Sequence, residues 1–531
     1  MTEFDYIIVG GGSGGCTLAG RLSEDPRISV CLIEAGGSGT SPIIRTPSGV
    51  ASVLPTPLFN WAYKTVPQAG LNGRRGYQPR GKALGGSSAI NAMLYIRGHQ
   101  RDYDEWRDLG NPGWGWDDVL PYFKKAEGNS RGADDLHGAD GPLSVSEQRS
   151  PHKITEAFLE AARENQIPMN GDFNGTRQEG IGKYQVTQKN GERCSAAAAY
   201  VIPHLNRQNL TVMTKTRASK VHFKDGRAVS VSTFGKGGKR TLHAKREIIL
   251  CGGTFNTPQL LMLSGIGPAE HLKSHGIEVI ADRPEVGENL QDHIDYVTAY
   301  KSGLKDTFGL SFKGVADLTK AIFEWRKHGS GKLTSPMAEA GGFVRSSPDL
   351  DRPDLQYHFV VGALDDHLRK VHFGHGFSCH VCVLRPKSRG RVQLNSTKPT
   401  DTPLIDMGFF SEREDLDLMI KGFRMMRQLL EAPALAPWRK KELYTAGLSS
   451  DAELEQVIRD RADTVYHPVG TCRMGGDEAS VVDPQLRVRG VEGLRIADGS
   501  IMPKIIGGNT NAPIIMIGEK CADLLRSAPA A

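Results

Sequence analysis

The stretch that decides the fold is Asp5-Tyr6-Ile7-Ile8-Val9-Gly10-Gly11-Gly12-Ser13-Gly14-Gly15. Its first half is a short apolar run typical of a strand inside a parallel sheet. The glycines at positions 10, 12 and 15 complete a GxGxxG pattern, and residues 16–22 continue as a predicted helix. A second apolar strand is predicted over residues 28–33 and ends at Glu34, 19 residues after Gly15. Strand, glycine turn, helix, strand and terminal acid in this order predict a Rossmann-type dinucleotide-binding unit.

The chemistry of this unit follows from its residue types. Glycines let the backbone approach a pyrophosphate, whose charge is met by amides at the helix N-terminus. Glu34 can accept hydrogen bonds from ribose hydroxyls and would repel a 2′-phosphate. The fingerprint alone does not distinguish FAD from NAD. The residues expected to contact the dinucleotide here are Gly10, Gly12, Ser13, Gly14, Glu34 and Ala35.

The composition predicts an ordinary folded protein with more than one domain. The chain has 531 residues, of which 39 % are hydrophobic, and a typical domain has ~150. Glycine is abundant, with 62 residues, which indicates many tight turns or close backbone approaches. Lys and Arg exceed Asp and Glu by only 66 to 60, so no nucleic-acid partner is expected. No apolar run approaches the ~18 residues of a membrane span, and no secretory signal is predicted.

The eight cysteines are scattered, and we expect them to be reduced thiols. Cys379 and Cys382 form a CxxC pair, the one local pattern that invites a zinc or redox interpretation. They lie in an apolar alternating run typical of a strand, and no second CxxC completes a ligand set. We therefore expect no metal site.

Two further glycine-rich segments cover residues 81–95 and 253–267. The first begins Gly81-Lys82-Ala83-Leu84-Gly85-Gly86-Ser87-Ser88, and the second begins Gly253-Thr254-Phe255-Asn256-Thr257-Pro258. Both resemble, position by position, the signature patterns of the glucose–methanol–choline (GMC) oxidoreductases, a family of FAD-dependent enzymes that oxidise alcohols. His467-Pro468-Val469-Gly470-Thr471 and Asn509-Thr510-Asn511 extend the resemblance to essentially the whole chain. Within the family, the chain is most similar to bacterial alcohol dehydrogenases acting on aliphatic primary alcohols, followed by choline and sorbose dehydrogenases.

The resemblance implies FAD as the cofactor, with its isoalloxazine ring against residues 84–95. Relatives with covalent flavin can carry His just before the Asn of the first motif. This chain has Ile90 there, so we expect FAD to be bound non-covalently. The further residues expected to bind the cofactor are Leu84, Gly86, Asn91, Ala92, Met93, Leu94, Val221, Asp498, Gly499 and Asn511.

The resemblance also implies a catalytic pair. His467 matches the invariant active-site histidine of the family, and Asn509 matches its second catalytic position, which is His or Asn. Asn511 is the alternative for that second role, and the eight-residue spacing from Ile501 favours Asn509.

Two residues are expected to contact the substrate, Glu339 and Tyr466. Glu339 matches a carboxylate that lies near an aromatic cage in family members that bind choline. Its neighbours here are Met337 and Ala338, so a cation–π box is not evident.

The resemblance implies an α/β protein, α+β overall. Residues 1–297 would form a Rossmann-type FAD-binding region, with an excursion into the substrate domain near residues 150–195. Residues 298–450 would form a substrate domain with helices and a mainly antiparallel six-stranded sheet. Residues 451–531 would return to the FAD domain with the catalytic pair.

The expected reaction is oxidation of a primary, aliphatic alcohol to the aldehyde, with hydride transfer to flavin N5, His467 as base and Asn509 orienting the alcohol oxygen. The electrons would pass to a quinone-type or other acceptor. A membrane quinone is thus one expected partner, and the protein is expected to be cytoplasmic, with peripheral contact to the inner membrane as an option. The alternatives are a choline, sorbose or polyol dehydrogenase, an alcohol oxidase that uses O2, and an FAD-containing hydroxynitrile lyase.

Overall fold

The computed structural model describes residues 2–527. Two large sheets organise them, and smaller two-stranded pairs lie between. The strands of the large sheets are, in chain order, β1 (Glu3–Val9), β2 (Val30–Ile33), β3 (Gly180–Lys183), β4 (Leu210–Met213), β5 (Thr216–Lys224), β6 (Arg227–Gly235), β7 (Arg240–Leu250), β8 (Ile294–Ser302), β9 (Gly309–Leu310), β10 (Ala338–Val344), β11 (Leu355–Val360), β12 (Gly374–Val383), β13 (Lys441–Glu442), β14 (Asp463–Thr464) and β15 (Leu494–Ile496).

The longer helices lie on and between these sheets. They are α1 (Ser13–Leu22), α2 (Gln100–Asp108), α3 (Trp116–Ala126), α4 (Lys153–Glu164), α5 (Gly253–Leu263), α6 (Phe312–His328), α7 (Arg413–Leu430), α8 (Asp451–Arg461) and α9 (Asn511–Ser527). Within residues 2–527, none of the helices has the length and hydropathy that crossing a bilayer requires.

The first sheet confirms the predicted Rossmann unit. Its strand order is β4-β2-β1-β7-β6-β5, with β15 beside β7. β1 pairs in parallel with β2 and β7, and β2 pairs in parallel with β4. β15 also pairs in parallel with β7, although more than 200 residues separate them. Strands from both ends of the chain therefore complete one sheet.

The second sheet is antiparallel throughout. Its main order is β13-β8-β12-β11-β10-β3, and the short strands β9 and β14 pair with β12 and β8. The expected six strands are present, with two short additions. β3 comes from the excursion expected near residues 150–195, and the sheet's main run begins at Ile294.

The turn between β1 and α1 requires glycine on geometric grounds. Gly10 has a φ of +110°, a conformation that residues with a side chain rarely adopt. A Cβ on Gly14 would lie 2.1 Å from the carbonyl oxygen of Ala497, and one on Gly15 would lie 1.9 Å from that of Gly10. Because these glycines have no side chains, α1 can pack against the end of β15, and this close packing positions the site.

Candidate active site

One cavity runs between the glycine-rich turns and the second sheet. It meets the starts of α1, α5 and α9, where unpaired backbone amides give a positive potential. Most of the residues expected at the site line it, namely Gly10, Gly12, Ser13, Gly14, Glu34, Ala35, Gly86, Asn91, Ala92, Met93, Leu94, Tyr466, His467, Asp498, Gly499, Asn509 and Asn511.

The end of the cavity at α1 fits the pyrophosphate of FAD. Gly12, the N-cap of α1, provides no side-chain cap, and the first turn of the helix carries no acidic residue. The Ser13 hydroxyl donates to Oδ1 of Asn511 at 2.7 Å, which ties α1 to α9. A Cβ on Gly86 would lie 2.6 Å from Cα of Gly12, so the first two glycine-rich segments meet. Glycine at both positions keeps this cradle open to a diphosphate.

Glu34 is placed for the ribose of the cofactor. It is buried and lines the cavity, and its two carboxylate oxygens accept the amides of Gly11 at 3.0 Å and Gly36 at 2.6 Å. Burial raises the pKa of Glu34 to about 7. Because each carboxylate oxygen has a second lone pair, a ribose hydroxyl can still donate to it.

Two of the expected cofactor contacts lie outside the cavity lining. Leu84 belongs to the buried apolar core, with Cδ1 2.8 Å from where a Cβ on Gly11 would lie. Val221 is also fully buried, and its amide donates to the Ser264 hydroxyl at 2.9 Å. The part of β5 that lines the cavity is its first three residues, 216–218. Val221 therefore lies three residues beyond the part of the strand that faces the cavity.

Glu339 also differs from its expected position. Its carboxylate accepts hydrogen bonds from His152 Nδ1, the Thr155 hydroxyl and the Ser335 hydroxyl, each at 2.7 Å. Ala338 lines the cavity, whereas Glu339 is absent from the described lining residues. Successive side chains of a strand face opposite sides of the sheet, so β10 directs Glu339 away from the cavity. The geometry favours a structural role for this carboxylate.

His467 and Asn509, the expected catalytic pair, are held by a chain of hydrogen bonds that fixes which nitrogen carries each proton. His293 Nε2 lies 3.1 Å from the carbonyl oxygen of Ile506, so this nitrogen donates. His293 Nδ1 is then an acceptor, and His467 Nδ1 donates to it at 3.0 Å. His467 Nε2 therefore carries no proton, and its lone pair accepts from Asn509 Nδ2 at 3.1 Å. Gln356 Nε2 donates to Oδ1 of Asn509 at 3.1 Å and sets the orientation of that amide.

This arrangement requires both imidazoles to be neutral, and their surroundings lower the pKa values enough to keep them so. Burial holds the pKa of His467 well below its ordinary value of 6.5, and His293, His358 and Arg80 lower it further. Burial likewise lowers the pKa of His293 to about 3 and that of His358 to about 3. At neutral pH, His467 is thus a free base with its lone pair at Nε2.

Asp292 supports His467 from the other side. Its Oδ1 accepts the backbone amide of His467 at 2.9 Å, and its Oδ2 accepts the Thr464 hydroxyl at 2.5 Å. Burial raises the pKa of Asp292 to about 7. Arg80, which lines the cavity, donates to the carbonyl oxygen of Tyr466 at 2.7 Å and opposes this effect.

Four residues of the cavity wall have a left-handed backbone without being glycine. They are Met93, Met337, Leu368 and Tyr466, with φ of 61°, 73°, 65° and 77°. Such conformations cost free energy and are concentrated at functional sites. At Tyr466, the turn places the following residue, His467, at the cavity.

The sequence interpretation missed several polar side chains of the site. His293, Gln356 and His358 come from or beside strands of the second sheet, and no motif marks them. The signal that could have found them is an unusual number of polar residues in strands that are otherwise buried and apolar, as in Leu355-Gln356-Tyr357-His358-Phe359-Val360.

The CxxC pair has an ordinary setting. Cys379 and Cys382 lie in β12, and both are buried free thiols, as are the other six cysteines. In the described part of the chain, no group of three or more His, Cys, Asp or Glu side chains is placed to hold a metal ion.

Comparisons with known proteins agree with this geometry. Family models described as GMC oxidoreductase match residues 4–295 and 386–518. The chain is 48 % identical over 526 residues to an alcohol dehydrogenase [acceptor] of Pseudomonas putida, covering 98 % of this chain and 95 % of the relative. It is 42 % identical over 538 residues to the mitochondrial choline dehydrogenase of Homo sapiens, covering 99 % and 90 %.

A solved structure shows the same fold. A formate oxidase variant from Aspergillus oryzae RIB40, studied for the modification of its FAD, matches with a TM-score of 0.92 at 29 % identity, covering 99 % of this chain and 98 % of that one. The cradle between the glycine-rich turns, the buried acid at the end of β2 and the family match together assign FAD to the cavity. The chain belongs to the GMC oxidoreductase family and is an FAD-dependent oxidoreductase.

Proposed function

We propose that this protein oxidises uncharged primary aliphatic alcohols to aldehydes with non-covalently bound FAD, and passes the electrons to an acceptor other than O2. Similarity to the alcohol dehydrogenase [acceptor] supports an alcohol as the substrate and a separate electron acceptor. Ile90, which lines the cavity where covalent relatives can carry His, supports non-covalent binding, because it offers no nucleophile.

The observation that carries the substrate proposal is the apolar part of the wall of the cavity that also holds His467. Side chains of Val50, Leu54, Met337, Val360, Leu364, Leu368 and Val465 line this cavity. Glu34 and Asp498 are the carboxylates among the described lining residues, and both accept amides of the glycine-rich turns. No carboxylate is thus left to balance a quaternary ammonium, while an alkyl chain gains about 0.8 kcal/mol per buried CH2.

In the proposed reaction, His467 takes the proton of the alcohol hydroxyl and Asn509 orients its oxygen. Asn509 Nδ2 and His467 Nε2 are hydrogen-bonded to each other at 3.1 Å. An alcohol oxygen that replaces this contact would accept from the amide and donate its proton to the imidazole. Asp292, hydrogen-bonded to the backbone of His467, places a carboxylate beside the imidazolium that results. FAD, when bound, supplies the hydride acceptor for the alcohol carbon.

The acceptor and the location are proposed on similarity. A quinone-type acceptor agrees with the relative's description as an acceptor-dependent dehydrogenase. We propose a cytoplasmic protein that meets this acceptor at the inner membrane. A rate with quinones or dyes well above the rate with O2 would support the acceptor. Stoichiometric peroxide formation in air at the same rate would contradict it.

The substrate proposal is tested by reduction of the bound flavin under anaerobic conditions. We expect bleaching by 1-alkanols, with kcat/KM rising from ethanol to octanol and choline well below. Four buried methylenes contribute about 3 kcal/mol, or roughly two orders of magnitude in kcat/KM. The proposal fails if choline equals the best alkanol or if chain length has no effect. A flavin that no alcohol reduces would favour the hydroxynitrile lyase alternative.

A further inference from the structure

Three large apolar side chains are exposed on α6, where a helix of a folded protein ordinarily exposes polar ones. They are Leu318, Ile322 and Phe323, and Phe323 has 73 % of its surface accessible. The helix is attached through the side next to Leu318, where Ala321 is buried and Trp325 Nε1 donates to the carbonyl oxygen of Gly191 at 2.8 Å. With 3.6 residues per turn, Leu318 and Ile322 lie one turn apart beside the attached side, and Phe323 lies about 100° further round and faces away from it.

The apolar surface continues beyond the helix. Leu310, two residues before α6, forms a backbone bridge with Phe373, which is 83 % accessible. Val371 is exposed next to it. We call the set Leu310, Leu318, Ile322, Phe323, Val371 and Phe373 the docking face. A concentration of exposed large apolar side chains in one part of the chain marks an interaction site.

The charges beside the docking face are basic. Lys320, Arg326 and Lys327 are exposed on the same helix and form no ion pair with any residue in the described part of the chain. The acidic residues of the helix are engaged elsewhere, because Asp317 lies 3.9 Å from Lys332 and Glu324 accepts from Ser330. Exposed aromatic and aliphatic side chains flanked by unpaired Lys and Arg are complementary to an anionic lipid surface.

The docking face adjoins the wall of the substrate cavity. Leu364 and Leu368 line the cavity, and the chain reaches exposed Val371 within three residues of Leu368. On the neighbouring segment, Phe308 packs with the apolar cluster that contains Met337 and Leu364, two residues before exposed Leu310. A bilayer against the docking face would therefore meet the apolar end of the cavity.

We propose that the docking face binds the surface of a membrane containing anionic lipids, with Phe323 and Phe373 inserted at the headgroup boundary and Lys320, Arg326 and Lys327 against the headgroups. Apolar alcohols and quinones partition into the bilayer, so docking presents the cavity to them. Membrane binding stands independently of the substrate, whereas the delivery of alcohol rests on the proposed function.

The test is sedimentation of the FAD-loaded protein with phosphatidylcholine vesicles, with and without about one third phosphatidylglycerol. We expect binding to the anionic vesicles that weakens with salt, and a loss of at least tenfold in the double variant Phe323→Ser/Phe373→Ser. Lys320→Gln/Lys327→Gln should weaken binding to anionic vesicles in particular. Leu205→Ser, which removes an exposed leucine outside the docking face, is the matched control and should bind like the wild type.

Two further measurements separate the possible outcomes. The rate of alcohol oxidation with a soluble dye should be the same in the wild type and in all these variants. If the wild type shows no such oxidation, that result contradicts the proposed function and leaves the vesicle-binding measurement unaffected. The docking proposal is overturned if the wild type ignores anionic vesicles or if the double variant binds them as well as the wild type. It is also overturned if size-exclusion chromatography shows that the double variant converts a dimer to a monomer, since the docking face would then bind a second copy.

Discussion

At the scale of single residues, the proposed reaction depends on one lone pair, that of His467 Nε2. We expect His467→Ala to fold and retain FAD while alcohol-dependent flavin reduction falls by roughly 10²–10⁴, the usual contribution of a positioned base. Asn509→Ala should lose less, because it orients the oxygen and takes no proton. Stopped-flow flavin bleaching measures both. His243→Ala, at an exposed position, serves as control, and near wild-type turnover in His467→Ala would show that another group is the base.

The neutral state of His467 also predicts the pH dependence. Because burial lowers its pKa well below 6.5, the free base persists as the pH falls, and proton uptake should remove activity only in more acidic solution. Protonation of His467 should thus not lower the rate of flavin reduction at saturating alcohol near neutral pH.

Asp292 is the group with a pKa near 7 beside this histidine. A decline in rate near pH 7 should therefore disappear in Asp292→Asn, which retains the acceptor for the His467 amide. A decline near pH 7 that survives Asp292→Asn would mean that His467 itself titrates there.

Ile90 determines how the cofactor leaves the protein. An alkyl side chain offers no nucleophile to the flavin, so denaturation in acid should release intact FAD into the supernatant. The absorbance of supernatant and pellet measures the partition. Yellow colour that stays with the precipitated protein would contradict non-covalent binding.

At the scale of secondary structure, the approach of α1 to β15 depends on Gly14. A Cβ there would lie 2.1 Å from the carbonyl oxygen of Ala497, so Gly14→Ala must push the helix away from the end of the strand. We expect a protein with little bound FAD, measured by the ratio of absorbance at 450 to 280 nm.

Gly37→Ala is the matched control, because a Cβ on Gly37 meets nothing within 4 Å. It should keep its FAD. Full FAD content in Gly14→Ala would show that the cradle tolerates a wider separation of α1 and β15.

The sequence predicts features that are encoded by neighbouring residues and misses those that depend on contacts between distant parts of the chain. The β1–turn–α1–β2 unit is encoded within about 35 residues, so strand, glycine turn and terminal acid are visible together. His293 and Gln356 reach the site through pairing of strands far apart in the chain, which no local pattern records. The sequence located the segment that contains Glu339, but it did not show which face of the strand this side chain occupies. A shift of one residue moves a side chain to the opposite face of the sheet.

At the scale of the whole molecule, the cavity is bounded by residues from both sheets and both ends of the chain. A ligand that binds only the folded state stabilises it by about 4 kcal/mol at a thousandfold excess over its Kd. We expect removal of FAD to lower Tm by several degrees and added FAD to restore it, as scanning calorimetry can measure. His467→Ala should show the same shift, because it retains the cofactor. Equal Tm values with and without FAD would indicate that the two sheets are held together without the cofactor.

The pairing of β15 with β7 has a consequence for how the protein is made. A ribosome releases β7 long before it synthesises β15, and His467 and Asn509, the proposed base and its amide partner, lie more than 200 residues after β7. The nascent chain therefore carries the nucleotide turn of β1 and α1 well before it carries the proposed base. If the proposed function holds, activity is acquired only after Asn509 has been synthesised, and any premature stop before residue 494 leaves an unfinished sheet edge at β7 that is exposed to aggregation or proteolysis.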